Sequence, residues 1–537
     1  RILLSRFSCF FGGIVSTFVY YPPKKTRKSA KIIPKIDEPL VTKEVYWLKI
    51  AFTLFLGTAY ALFQEIHTDD ETWFFQVISR FLAGESLYKD IFLGVGPLSV
   101  YCTAFVCLLF GQELFIARLV LVSYFTIGVF LMLQILTELK LDRYRTFLFV
   151  LTCFILAHPQ SNWGFSAYNP LSKVLFLAVF WMTLKWSASL EKTWLLKASC
   201  FSALCFTAKQ NVGAIAALCV SLEIFAKRRG HWLLCFQELC LHAAIFSATA
   251  AIIFFPVIIS GGIAPFFDYG VINKFRYLAL RDNNYFLDFK DFSLYSLLIY
   301  ATPFALIFGW LFFSFQKRER NQYSTRSLFI FLCGSALALF PRPDNMQKIA
   351  FVPFALLGTL YFYSALGSLI PFWIKKSAKY VLTFFFSCYI LNSLEGPCHR
   401  WIQGHCVSSK IPKFRWIVMD RACHRHWRRM QKEFSFPHGP LFFLSTHAGF
   451  YYLLFDLQNP TPFDIPFHPA LGSKGEQELI RAIQEGMCLA RDHLCWSNWP
   501  TLHPLNHPAD LETFIQSNMK PLPPQAGFET IFETYTR

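Results

Sequence analysis

Charge is what this chain has little of. Asp, Glu, Lys and Arg make up 16% of its 537 residues, where a soluble globular protein carries about a quarter. Acids are the scarcer sign, 34 against 51 basic residues, for a net charge of +17. No C-x-x-C step, no nucleophile elbow, no phosphate-binding glycine loop, no internal repeat and no low-complexity tract is present, so the common metal, hydrolase and nucleotide-binding motifs have no support. What fills the space is 54% hydrophobic and 18% aromatic residues. That composition excludes a water-soluble protein over most of the length and indicates a membrane protein.

The positive charge lies in short clusters between apolar runs, which suits loops held at the cytoplasmic face. Basic and aromatic residues do not interleave as a single-strand-binding groove requires, so no nucleic-acid partner is expected. Cys102, Cys107, Cys205, Cys219 and Cys333 sit inside apolar runs, where a thiol behaves as a small hydrophobe. In the polar C-terminal part, "CHRWIQGHC" and "CHRH" raise a zinc site, set against a disulfide or unpaired thiols.

Apolar runs lie at about Ile50 to Phe63, Leu114 to Leu136, Thr146 to Ala157, Val174 to Thr183, Leu195 to Ala208, Val212 to Ala226, Trp232 to Ile259, Leu294 to Phe315, Ser327 to Leu339, Ile349 to Ile370 and Val381 to Leu391. They predict about eleven spans, several of which must extend into flanking residues to reach the roughly twenty a bilayer needs. A further run, Pro97 to Gly111, is ambiguous. If it stays in the outer interface, the basic clusters at Lys140 to Arg145, Lys185 to Lys197, Lys227 to Gly230, Gln316 to Arg320 and Lys375 to Lys379 all share the side of the basic N-terminal lead-in. If it crosses, a compensating span has been missed. The stretch "CFFGGIVSTFVYY" falls short of a span and reads as a signal remnant or an upstream mis-start.

The expected organisation is mainly α. A basic cytoplasmic segment (1–45) leads into a polytopic transmembrane helical bundle (46–394) with a first outer loop at 67–113. A small C-terminal α/β extramembrane domain (395–537) follows, its composition shifted to His, Pro and charge. There "GPLFFLST" resembles a buried strand and "GEQELIRAIQEGMCLARDHL" has helical spacing.

The first outer loop opens with Asp69, Asp70 and Glu71. A carboxylate at a membrane boundary is easily solvated, so a plain polar loop is one account of them. The following "WFFQVISRFLAG" is an amphipathic helix candidate that would lie flat in the interface and fix the acids at its N-terminus, where one could serve as a general base. Lys209, between two runs joined almost without a loop, must snorkel or meet an anion. Lys274, Arg276, Arg281, Arg342 and Lys348 bring cations to the same face against the positive-inside tendency, as a phosphate-bearing lipid would require, although ordinary solvated loop charge also accounts for them.

The acid pair after the first span, the helix, "LAGESLYKD", a Gly-Pro turn, "LLFG" and a following "AR" resemble the GT-C superfamily of polytopic glycosyltransferases. Nearest in pattern is the protein O-mannosyltransferase and lipid A aminoarabinose transferase group. The resemblance covers about residues 45 to 400 and is strongest from Asp70 to Arg118. It implies that Asp70 is the catalytic acid, with Asp69 and Glu71 beside it. The family's basic residue before a proline is replaced by Gly96 here, with Lys89 a substitute; its Asp-Pro is Asn169-Pro170; its Thr-Lys step is matched loosely by Thr207 and Lys209; and Arg342-Pro343-Asp344 matches an Arg-x-Asp segment.

By that resemblance the chain is a membrane transferase that moves a sugar, with inversion, from a polyprenyl-phosphate donor to an outer-face acceptor such as a lipid, glycan or protein. Lys89, Asn169, Lys209, Arg276, Arg281, Arg342 and Asp344 would bind the lipid phosphate and substrate. No organic cofactor is implied. The three acids have the chemistry to share a divalent ion, as some members of the wider superfamily do, whereas the nearer group is metal-independent. A bacterial inner membrane with the N-terminus cytoplasmic and the C-terminal domain outside is the expected setting. Adjacent carboxylates repel, so one of the acids is expected to be raised toward neutrality. The rival function is a transporter or flippase of an anionic lipid or solute that uses the same cations without chemistry; inverted repeats would favour it, and none is seen. A structural scaffold presenting the terminal domain is a third, and it would leave the outer acids dispersed.

Overall fold

The computed structural model describes residues 41–142, 168–272, 322–338, 353–358, 360, 361, 364, 404–434, 436, 439–464, 471, 474–492, 508–522 and 532–536. The expected spans at Thr146 to Ala157, Leu294 to Phe315 and Val381 to Leu391, the boundary at 394/395, and Arg276, Arg281, Arg342 and Asp344 lie outside the described residues. The chain forms two compact units, Arg1–Trp47 and Leu48–Arg537.

Among the described residues helices dominate, and five are long and apolar enough to cross a membrane: α1 (Val41–Phe63, apolar from Tyr46), α4 (Leu114–Glu138), α5 (Tyr168–Ser189), α7 (Gln210–Lys227) and α8 (Trp232–Ile259). Between them in sequence fall α2 (Asp70–Leu82), α3 (Leu98–Phe110) and α6 (Lys192–Ala208). The protein is an integral membrane protein. The 28 residues of α8 reach about 42 Å at 1.5 Å per residue, and Leu233, Phe236, Ile252, Phe255 and Ile259 stay exposed on it. A helix apolar on all sides is stable only where its outer surface meets lipid. Pro256 falls in its last turn, and Gly261, at a φ of 78°, ends it. The short α9 (Ile263–Phe267) and a π turn to Ile272 follow.

Inside the bundle, Phe176 and Phe180 of α5 pack on Phe331 of α10 (Gln322–Leu337) and on Phe354, with ring centroids 4.9 to 5.6 Å apart. Lipid tails are as apolar as these rings, so the cluster is held by close packing rather than by escape from water. At 13 residues, α3 is about 20 Å long and too short to cross the roughly 30 Å hydrocarbon core. This is the Pro97 to Gly111 run, and its length agrees with a place in the interface.

The C-terminal part is built on a four-stranded sheet in the order β3-β4-β6-β5, from Leu441–Leu444, Cys488–Asp492, Phe532–Thr536 and Lys520–Pro521, beside a hairpin of β1 (Cys406–Ser408) and β2 (Val418–Asp420). Strand β3 runs parallel to β4, and β6 is antiparallel to both β4 and β5. "LFFL" is the edge strand β3, and it is buried on both faces because apolar residues pack against each of them. Leu441 and Phe443 face a core shared with the bundle; Phe442 and Leu444 face a second one with Leu479, Ile483, Leu511 and Ile515, from the helices Gly475–Gln484 and Ala509–Asn518. The helix expected to run through "GEQELIRAIQEGMCLARDHL" is therefore a correction. It stops at Gln484, Gly486 takes a φ of 110°, and Cys488–Asp492 becomes β4.

Candidate active site

Helix α2 begins at Asp70 with Asp69 as its N-cap. It does not lie one-sided in an interface as its amphipathic pattern suggests. Gln76 and Arg80, the polar face, are buried with the rest, because the helix Ala448–Phe455 of the C-terminal part covers it. Gly449 permits this approach: a Cβ there would lie 2.7 Å from the Trp73 backbone. Arg80 then donates to Asp464 Oδ1 at 2.8 Å and to the Asp90 and Thr461 carbonyls. Burial works against the Arg80 charge, but Asp464 and Glu85 outweigh it and hold the guanidinium protonated above its ordinary value. The segment after α1 and the C-terminal part are thus joined through desolvated charge pairing, which costs several kcal/mol to break from one side.

The three acids have three different environments. Glu71 is 2% exposed and receives Arg118 in a bidentate pair, Nε to Oε1 at 2.5 Å and Nη2 to Oε2 at 2.9 Å. Arg118 also donates to the carbonyls of Ala61, Gln64 and Glu65 at the end of α1, and Glu71 Oε2 accepts from the His67 N–H. This side chain is a clamp, accepting three hydrogen bonds that hold the turn. Asp69 Oδ1 lies 2.6 Å from His447 Nδ1, in the turn after β3. Burial would raise the Asp69 carboxyl, but His447, aided by His67 and Thr446, brings it below the ordinary carboxylate value. The acid expected to be raised is therefore not Asp69. Asp70 is half-buried in the first turn of α2, where the helix dipole favours a negative charge. A small pocket opens beside Glu71 and Arg118, lined also by Phe74, Phe75, Thr103 and Leu121.

Lys209 and Asn169 are brought together. The Lys209 Nζ donates to Asn169 Oδ1 at 2.7 Å and sits 5.7 Å from the centre of the Tyr168 ring, with Lys209 7% and Asn169 2% exposed. Lys209 is the single extended residue between α6 and α7, at φ −152° and ψ 111°, so its side chain leaves at the break between two helices. The Asn169 amide solvates the ammonium without itself carrying a charge. Tyr168 in turn lies 6.1 Å from Phe74 of α2, which links the cation to the acid-bearing helix. The departure at Gly96 has a steric reason: a Cβ there would come within 1.9 Å of the Thr207 carbonyl oxygen. No side chain fits where the resembled family has its lysine. Lys89 is exposed, next to Tyr88, which is buried at a φ of 67°. Among the described residues no group of three His, Cys, Asp or Glu is placed to hold a metal. Cys406 and Cys423 are free thiols, so they form no disulfide with each other.

Sequence reasoning passed over Arg118 as a partner, His447, and the Arg80 to Asp464 pair. Arg118 carried a signal, a lone cation in the first turn of a long apolar run. His447 carried none, since 378 residues separate it from Asp69 and no pattern spans them.

The fold compares with known structures over nearly its whole length. ArnT from Cupriavidus metallidurans bound to undecaprenyl phosphate aligns with 92% of this chain and 98% of that one, at a TM-score of 0.57 and 13% identity. The same protein in the apo state gives 0.54 and 12% over the same shares. The chain has the fold of these ArnT structures. No protein-family model and no curated protein sequence matches it.

Proposed function

We propose that this chain is a membrane glycosyltransferase that transfers a sugar from a polyprenyl-phosphate carrier to a hydroxyl acceptor at the outer membrane face, with inversion. The observation that carries the proposal is the acid-bearing turn: Glu71 fixed by Arg118, Asp69 paired with His447, and Asp70 half-buried between them at a helix N-terminus, on the fold of a protein whose structure holds undecaprenyl phosphate.

In the proposed step the acceptor oxygen attacks the anomeric carbon and its proton passes to Asp70. The bond from that carbon to the phosphate oxygen breaks, and the carrier phosphate leaves with the electron pair. Lys209, oriented by Asn169, supports the growing negative charge on the leaving phosphate. Arg276, Arg281, Arg342 and Lys89 are further proposed phosphate ligands, and Asp344 a proposed orienting residue. Glu71 and Asp69 position Asp70 rather than accept the proton. Membranes bearing the protein, supplied with a polyprenyl-phosphate sugar labelled in the sugar, test this. Label leaves the carrier with the wild type and stays on it with Asp70→Asn at equal membrane level; transfer by that variant at the wild-type rate rejects the assignment.

A further inference from the structure

The segment 404–433 carries charge that the proposed site does not use. It holds eight Lys and Arg against two acids, Asp420 and Glu433. Its helix, α11 (Arg421–Glu433), is capped by the Asp420 carboxylate, which accepts from the Ala422 and Cys423 N–H groups. At 100° per residue Arg421, Arg425, Arg428 and Lys432 fall within one narrow stripe, and all four are exposed. The opposite face is seated: His424 and Met430 are buried, and Trp427 packs on Phe450 with centroids 4.6 Å apart.

Two contacts place this segment at the end of the bundle where spans meet water. Arg415 pairs with Glu113 at 3.2 Å, and Lys413 donates to Gln112 at 3.4 Å; these two residues connect the short α3 to the span α4. Cys423 lies within electrostatic reach of Glu65, just past the end of span α1. Beside this boundary the tip of α3 leaves Leu108, Leu109 and Phe110 exposed, and the segment itself exposes Trp416 at a φ of 73°. An exposed indole among cations, level with span ends, is the composition of a membrane-interface anchor.

We propose that segment 404–433 rests on the bilayer surface and binds the anionic headgroups of phospholipids through the stripe Arg421, Arg425, Arg428 and Lys432, with Trp416 as its interfacial anchor. Charge complementarity selects this occupant, since the stripe offers guanidinium and ammonium donors with no acid among them, and Glu433 is paired with Arg429 on the helix flank. The consequence is a C-terminal part fixed at a set height above the membrane, with His447 held against Asp69.

The test uses the full chain in nanodiscs of phosphatidylcholine, with and without phosphatidylglycerol. Lipids brominated near the headgroup quench the fluorescence that Trp416→Phe removes, and spin-labelled phosphatidylglycerol shows a motionally restricted fraction. In Arg421→Gln/Arg425→Gln/Arg428→Gln that preference over phosphatidylcholine falls by about fivefold for each cation that contacts the surface. A Trp416 component that bromolipids leave unquenched overturns the proposal, as does an unchanged lipid preference in the triple variant. The quenching arm needs only the conservative Trp416→Phe, so a folding defect in the triple variant does not spare the proposal. Neither arm measures sugar transfer, so its failure is distinct from failure of the proposed enzyme activity.

Discussion

Two of the carboxylate–guanidinium pairs in this protein, Glu71 with Arg118 and Glu223 with Arg326, do different work. Glu71 and Arg118 join a turn: the arginine spends its remaining donors on the Ala61, Gln64 and Glu65 carbonyls, so the pair fixes backbone between α1 and α2. Glu223 of α7 instead accepts from Ser187 of α5 and from Arg326 of α10, so that pair ties three helices by their side chains. Both members of the first are 1% exposed in their side chains, whereas Arg326 in the second is 30% exposed. A charge inside an apolar bundle is thus no mark of catalysis in itself. What separates the regions is that the first pair holds Asp70 beside it and the second holds only helices.

That contrast can be broken by substitution. The largest effect is expected from Asp70→Asn, which lowers transfer by about 10²- to 10⁴-fold, the usual worth of a positioned general base, with unfolding of the purified protein unchanged. Next comes Arg118→Ala, which leaves the Glu71 charge buried and unpaired and costs about 3–5 kcal/mol of stability, read from thermal unfolding in detergent together with lost transfer. Glu223→Gln, whose partner can reach water, costs less, about 1–3 kcal/mol, and the folded fraction keeps its transfer rate. Equal loss of specific activity in the Arg118 and Glu223 variants would erase the distinction between the two regions. Gly96→Ala pushes a methyl onto the Thr207 carbonyl and costs about 1–3 kcal/mol, with weakened carrier binding because Thr207 lies two residues before Lys209.

The smallest effect is expected from His447→Asn. Burial works to raise the Asp69 carboxyl, but His447 outweighs it and holds the group below the ordinary carboxylate value, so the pairing stabilises the fold at neutral pH and the contribution fades as pH falls through the depressed value. Half exposed, the pair is worth less than about 1 kcal/mol. The variant loses that increment at neutral pH, and the difference from wild type closes in acid; a difference that grows in acid contradicts the pairing.

Much of this arrangement was legible in the residues. The run Trp232 to Ile259 is a helix end to end, and "LFFL" is a strand. The run Val174 to Thr183 was too short because polar residues hid the rest of α5, whose Ser172 hydroxyl satisfies itself on the Asn169 carbonyl. The break at Lys209 was visible as a cation between two apolar runs, and its pairing with Asn169 was not, since the two lie 40 positions apart in sequence. The acids were visible as a group. Their division into a clamp, a paired neighbour and a candidate base depends on Arg118 and His447, which only tertiary packing brings to them.

The most direct measurement is release of polyprenyl phosphate from a labelled polyprenyl-phosphate sugar in nanodiscs, wild type against Asp70→Asn, with carrier binding followed in parallel. The account predicts that both proteins bind the carrier and that only the wild type liberates the phosphate with loss of its sugar. Equal release by both proteins, or none by either despite binding, would contradict it.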